Sequence, residues 1–420
     1  MPEKVRVTDL AAPLLNEAER AAIEAADRNP PKMTVGAVLA AAVEATGLND
    51  FGDEAFKPRL GLLLREVDAN RHSTNFGRTT IYNESIRNAS NRLRNLDFLK
   101  RHPEVEELKL ERPIIIVGLP RSGTTHLLNL IAADRRLRSM PLWESYQPIP
   151  DQDPDGKPRA NAEDPRLERL RLRTEAGAGI TPYGRLFHTT DPEHVHEELE
   201  LMAPEFTTYI YEWGGRRMPR WRDNYLATDQ APFYRYMRTM LKVLQWHRAG
   251  ERWILKCPQH LEQLEPLLSV FPDATVVFTH RDPVAVVQSA AWSSTYRSRM
   301  NYTNPDPGLH LRYWVDRVRR LLLQSLRDRH VVPAEQAIDV FFDRFLPDQM
   351  GTVERIYEFA GLPLTADARR QMGDYLEANT REREATLAFD LREDFGADPA
   401  EIRTEFEFYF DRLPVRVEVK

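Results

Sequence analysis

Pro113-Ile-Ile-Ile-Val117 runs into Gly118-Leu-Pro-Arg-Ser-Gly-Thr-Thr125, and His126-Leu-Leu-Asn-Leu-Ile131 follows. The apolar run reads as a buried strand, the glycine-bounded octet as a tight loop, and the last stretch as the start of a helix. Two glycines at this spacing, followed by two threonines, bend the chain so that backbone N–H groups face inward. With the helix N-terminus they make an anion site. Nucleotide kinases and ATPases with such a loop carry a lysine where this chain has Thr124. Here the positive charge sits inside the loop, on Arg121. The exchange points to an anionic nucleotide that is not cleaved by magnesium-dependent NTPase chemistry.

Working outward, the chain alternates strands and helices from about residue 110 to 365. Trp253-Ile-Leu255 reads as a strand ending at Lys256. Pro258 is expected to open a helix carrying Leu261, Leu264, Leu267 and Leu268 on one face. Thr275-Val-Val-Phe-Thr279 reads as the next strand, with Asp282 as N-cap and Pro283 as first residue of the helix after it. Ala337–Phe342 is a further strand. A helix from about Pro347 to Ala360 follows, with Gly361 just past its end. The fold class expected is α/β: a P-loop-like parallel sheet with helices on both faces, preceded by an N-terminal helical region. In such sheets ligands bind beyond the carboxyl ends of the strands, which is where the 118–125 loop, Lys256 and Arg281 all lie.

The division expected is a helical region over 1–108 and an α/β domain over 109–420. The latter includes an aromatic-rich, irregular insertion at about 140–250. In the first region Tyr82, Ile86, Ala89, Leu93 and Leu96 form one apolar stripe that Pro103 ends, and another helix runs from Thr34 to Gly47. No chemical motif falls there, so a lid or a homodimer contact is expected. Asp151–Asp164 reads as a surface loop. The chain has 420 residues, 42% hydrophobic and 29% charged, with a net charge of −6. That balance argues against a broad nucleic-acid surface, so any anion site must be a local basic pocket. One cysteine, Cys257, excludes an intrachain disulfide and reads as a packing residue in a reducing compartment. The N-terminus lacks the pattern of a signal peptide, and no apolar run approaches the roughly 20 residues needed to span a bilayer. A cytoplasmic protein is expected.

Three elements in this order resemble the PAPS-dependent sulfotransferases, PAPS being 3′-phosphoadenosine 5′-phosphosulfate. Pro120-Arg-Ser-Gly-Thr-Thr125 resembles the family's 5′-phosphosulfate loop. His280-Arg-Asp-Pro-Val-Ala-Val-Val-Gln-Ser289 resembles its 3′-phosphate element, and Trp253–His260 the strand end between them. The helical N-terminal block is similar to a bacterial branch, and the likeness runs from about residue 30 onward. It implies that Pro120, Arg121, Ser122, Gly123, Thr124, Thr125, Arg281 and Ser289 bind PAPS without a metal. It also implies that Lys256 stands near the bridging oxygen. Geometry agrees for the 3′-phosphate pair: Ser289 lies eight residues after Arg281, a little over two helical turns, so a guanidinium fork and a hydroxyl can grip one phosphate.

The resemblance implies sulfuryl transfer to an acceptor hydroxyl, which requires a base. Tyrosylprotein and heparan-type sulfotransferases carry a glutamate at a similar place after the loop, so Glu144 is the expected base, acting with Lys256 and Arg121. His188 and Glu198 are the reserves. His194 and Glu197 could also face the pocket; the other reading of Glu197, Glu198 and Glu200 is a solvated helix face. A metal site at His194-Val-His196-Glu197 is not expected, because residues two apart do not share a helix face. Many cytosolic relatives close an Arg-Lys-Gly stretch over the 3′-phosphate. Thr380-Arg-Glu-Arg-Glu-Ala385 stands near that place, mixed in charge and without glycine, which leaves Arg383 as a weak candidate. Phe206, Tyr209, Tyr211, Trp213 and Trp221 are either core or the wall of an acceptor pocket. As a wall they imply an apolar small molecule or lipid. The alternatives are a P-loop kinase, which the missing loop lysine disfavours, and a catalytically silent nucleotide-binding protein.

Overall fold

The computed structural model describes residues 3–151, 164–180, 182–187, 191–379 and 385–420. Its strands are β1 (Glu3–Val5), β2 (Ile114–Gly118), β3 (Leu137–Arg138), β4 (Arg252–Lys256), β5 (Thr275–His280), β6 (Ala337–Phe341) and β7 (Ala385–Leu387). Five of them form one parallel sheet in the order β3-β4-β2-β5-β6, and β1 pairs with β7 apart from it. Every residue of β2, β4 and β5 is buried, which is why the central strands read as near-continuous apolar runs. One face of the sheet packs Ile115, Val117, Leu255, Val276 and Phe278 into the largest core. The other packs Ile114, Ile116, Ile254 and Val277 against the helix that follows β2.

The helices of the N-terminal part are α1 (Glu17–Arg28), α2 (Val35–Thr46), α3 (Phe56–Ala69) and α4 (Asn75–Arg101); α5 (Thr124–Ala132) follows the loop. Thr34 caps α2 by accepting from the Ala37 N–H, and Gly47 ends it in the left-handed region at φ 69°. The core of α2–α4, with Val38, Phe56, Leu60, Leu64 and Leu93, is closed by Phe206, Tyr211, Trp221 and Tyr225. The aromatic segment therefore completes the hydrophobic core of the N-terminal helices, which crosses residue 108.

Some local expectations change. The helix expected from Pro258 is a single 3₁₀ turn, Pro258–Glu262, and the helix proper is Leu264–Val270. Buried bonds fix that turn: Gln259 Oε1 accepts from the Tyr209 N–H and the Thr208 hydroxyl. Among the described residues the 140–250 stretch includes the helices Pro165–Ala176, Pro219–Ala227 and Ala231–His247, each of nine residues or more. In the last, Phe233, Tyr234, Met237, Met240, Leu241 and Leu244 fall at three- and four-residue steps and are buried. The helix expected from Pro347 is Gln349–Phe359, capped by Asp348, and Gly361 follows it at φ 60°. Among the described residues no helix is long and apolar enough to cross a membrane.

Candidate active site

β4, β2 and β5 lie side by side in parallel, so the segments leaving Lys256, Gly118 and His280 start at one edge of the sheet. Gly118 has no room for a side chain: a Cβ there would stand 1.8 Å from Thr279 Oγ1. Gly123 opens α5 at φ 82°, and a Cβ on it would meet the Phe342 ring at 2.8 Å. Between them Arg121 takes φ 65°, a left-handed conformation that costs a non-glycine residue about 1 kcal/mol or more. Its neighbours hold it there. Arg121 Nε donates to Ser289 Oγ at 3.1 Å, and its carbonyl accepts from Arg281 Nη1 at 2.5 Å. Arg121, Arg281 and Ser289, some 160 residues apart in sequence, thus form one basic cluster.

α5 begins without a side-chain cap. The N–H groups of its first turn have no partner within the helix and carry the positive end of its dipole. Beside them Lys256 Nζ donates to Thr125 Oγ1 at 3.1 Å and pairs with Glu197. The lysine side chain is 2% exposed and that of Glu197 12%, so water screens this pair little. Directly behind, Glu198 is wholly buried. Its Oε2 accepts from the Lys256 backbone N–H at 2.9 Å, and its Oε1 lies 2.6 Å from His260 Nε2. His260 Nδ1 is in turn 2.8 Å from the Tyr234 hydroxyl. Burial pushes the Glu198 carboxyl up, but His260 and the Lys256 amide outweigh it and hold it below the usual carboxylate range. Glu198 anchors the end of β4, and its oxygens are committed. Burial, with His196 and Lys256 adding to it, holds His194 down to about 3, so it is neutral at ordinary pH.

The structure redistributes several expected roles. Glu144 is buried between Arg138 and Arg248: Arg138 Nη2 lies 2.9 Å and Arg248 Nη2 3.1 Å from Oε2. Arg138 pairs with Trp253, near the start of β4, whereas Lys256 ends that strand. Glu144 therefore neutralises two guanidinium groups near the start of β4, away from the Lys256 tip. The Ser122 hydroxyl donates to Leu119 O at 2.6 Å and lies 3.1 Å from Thr279 Oγ1, so it is turned into the β2–β5 seam. Thr124 is buried with its methyl group beside Gly118, leaving its N–H to the site, and Pro120 is buried and shapes the turn. His188 and Arg383 lie outside the described residues. Phe206, Tyr209, Tyr211 and Trp221 are core, at most 1% exposed; Trp213 is partly buried against Trp314. The rings offered for an acceptor wall are thus spent on packing.

Two residues with strong contacts here stand outside the expected base set of Glu144, Glu198 and His188. The sequence leaves Glu197 either facing the pocket or on a solvated face, and the structure pairs it with Lys256. Glu418 binds Arg281 side-on, with Nε at 2.8 Å and Nη2 at 2.7 Å, while the guanidinium lies 4.1 Å over the Phe342 ring. Asp282 caps the next helix through Val284 N–H at 2.9 Å. Among the described residues no group of three or more His, Cys, Asp or Glu side chains is arranged to hold a metal.

The chain is similar to the sulfotransferase STF9 from Mycobacterium avium, with a TM-score of 0.83 and 26% identity over 93% of this chain and 99% of that one. It is also similar to the sulfotransferase STF1 from Mycobacterium tuberculosis H37Rv, with a TM-score of 0.74 and 25% identity over 89% and 98%. No curated protein matches the sequence. The family model for sulfotransferases matches residues 113–367, which contain the loop, the β4 tip and the β5 tip, and the chain belongs to the sulfotransferase family.

Proposed function

We propose that this sulfotransferase takes its sulfuryl group from PAPS and passes it to an acceptor hydroxyl, releasing 3′-phosphoadenosine 5′-phosphate. The observation that carries this reading is the joining of three distant elements at one sheet edge. Lys256 bonds Thr125 of the loop, and Arg121 of the loop bonds both Ser289 and Arg281. The 5′-phosphosulfate fits the uncapped start of α5 with Arg121 and Lys256 beside it, and the 3′-phosphate fits Arg281 and Ser289. In transfer, the bond between sulfur and the acceptor oxygen forms as that between sulfur and the phosphate oxygen breaks. Negative charge then grows on the phosphate, where fixed positive groups count most.

Glu197 is the base in this proposal. Its side chain is 12% exposed, and it shares the Lys256 ammonium with Thr125 of the loop. When Lys256 turns to the phosphate oxygen, Glu197 is released to accept the acceptor's proton. The test is transfer from sulfur-labelled PAPS into a cell extract, with the labelled product identified. Label is expected with the wild-type protein and at least about 100-fold less with Lys256→Met at equal folded concentration. Equal transfer by the two would remove Lys256 from the chemistry.

A further inference from the structure

The segment from Leu413 to Lys420 has no regular secondary structure, and most of it is exposed. It is held by a small number of contacts, and those at Glu418 fall on the tip of β5. The Glu418 carboxylate takes Nε and Nη2 of Arg281, and the Glu418 and Val419 N–H groups donate to Asp282 Oδ2 at 2.7 and 3.2 Å. Arg403 holds the Val419 carbonyl, Arg392 Nη1 donates to the Lys420 carbonyl at 3.2 Å, and Leu413, Val415 and Val419 rest against the main core. The remaining contact of the Arg281 fork goes to the Arg121 carbonyl. The bidentate face of Arg281, the one that suits a phosphate, is thus occupied by a carboxylate of the same chain. A phosphate arriving while Glu418 stays would meet a like charge across one guanidinium.

We propose that Glu418 is a built-in competitor for the 3′-phosphate of the nucleotide. It occupies Arg281 until a phosphate replaces it, so donor binding and release of the 413–420 segment are one coupled event. This rests on the reading that Arg281 receives the 3′-phosphate, and it adds regulation to that site. The exchange falls on a partly exposed pair, with side chains 22% and 27% accessible, where an ion pair contributes little and is readily replaced. The free protein gains in return a paired Arg281.

The test is calorimetric titration of the full chain and its Glu418→Gln variant with 3′-phosphoadenosine 5′-phosphate and, separately, adenosine 5′-phosphate. Hydrogen exchange over residues 413–420 is followed in parallel. The variant is expected to bind the bisphosphate about five- to tenfold tighter, the size of one half-exposed bidentate pair, and the monophosphate with unchanged affinity. The bisphosphate is expected to speed exchange at the Glu418 and Val419 amides in the wild type. Equal or weaker bisphosphate affinity in the variant, or exchange slowed by the bisphosphate, would overturn the competition while leaving the donor reading intact. Binding of the bisphosphate to neither protein would overturn both.

Discussion

Glu197 and Glu144 are both carboxylates paired with buried cations, and what separates them is where the cation stands. Glu197 shares Lys256 with the loop threonine Thr125, while Glu144 closes a cluster with Arg138 and Arg248 near the other end of β4. Glu197→Gln is expected to slow transfer at least about 100-fold in single-turnover assays while the bisphosphate still binds. Full activity would move the base elsewhere. Glu144→Gln is expected to act on stability. Burial already pulls the Arg138 guanidinium down to about 10, and removing its counter-charge should cost about 3 kcal/mol, read as a lower melting temperature with unchanged turnover per folded molecule. Unchanged melting with lost turnover would restore Glu144 to the chemistry. The difference between these two residues was not legible in sequence. The partners that distinguish them include Arg248 and Lys256, more than 50 residues away. Arg121 was legible because its two flanking glycines fix it in a loop whatever the rest of the chain does.

At the scale of elements, the central strands were legible because burial on both faces leaves only apolar residues to choose from. β3 was not, since two residues at a sheet edge, Leu137 and Arg138, carry no pattern. The helix Ala231–His247 shows a clear apolar stripe that its many aromatic residues obscured. The seam between β2 and β5 is the element-level feature that sets the loop, and Gly118 is its tightest point. Gly118→Ala is expected to destabilise the fold by about 1–3 kcal/mol through collision with Thr279 Oγ1. Combining it with Thr279→Ala should recover part of that loss, because the colliding hydroxyl is gone. Chemical denaturation of the four proteins gives the coupling. Strictly additive losses would mean that the seam is not in contact as described.

The whole molecule carries a net negative charge, and Arg121, Lys256 and Arg281 gather at one edge of its sheet with Glu197 and Glu418 paired to Lys256 and Arg281. It also holds three histidines neutral, His310 buried and His194 and His247 partly buried. Burial is the main cause in each case: His194 and His310 are held down to about 3 and His247 to about 4. The unfolded chain takes up protons on these groups near the ordinary histidine value of about 6.5, and the folded chain does not. Their contribution is therefore complete above about pH 6.5 and is lost as the pH falls towards the folded values. Each histidine adds a slope of up to about 1.4 kcal/mol per pH unit. The melting temperature is expected to drop between pH 7.5 and 5.5 at fixed ionic strength. A flat or rising profile would show that these rings are charged in the folded state. The joining of the β2 and β5 tips around one doubly phosphorylated adenosine is tested most directly by calorimetry without magnesium. Adenosine 5′-phosphate is compared there with 3′-phosphoadenosine 5′-phosphate, on the wild type and Arg281→Ala. The wild type is expected to prefer the bisphosphate by at least about 100-fold, two charge-assisted contacts' worth, and the variant to lose most of that preference. A variant that keeps the full preference, or a wild type that has none, would contradict it.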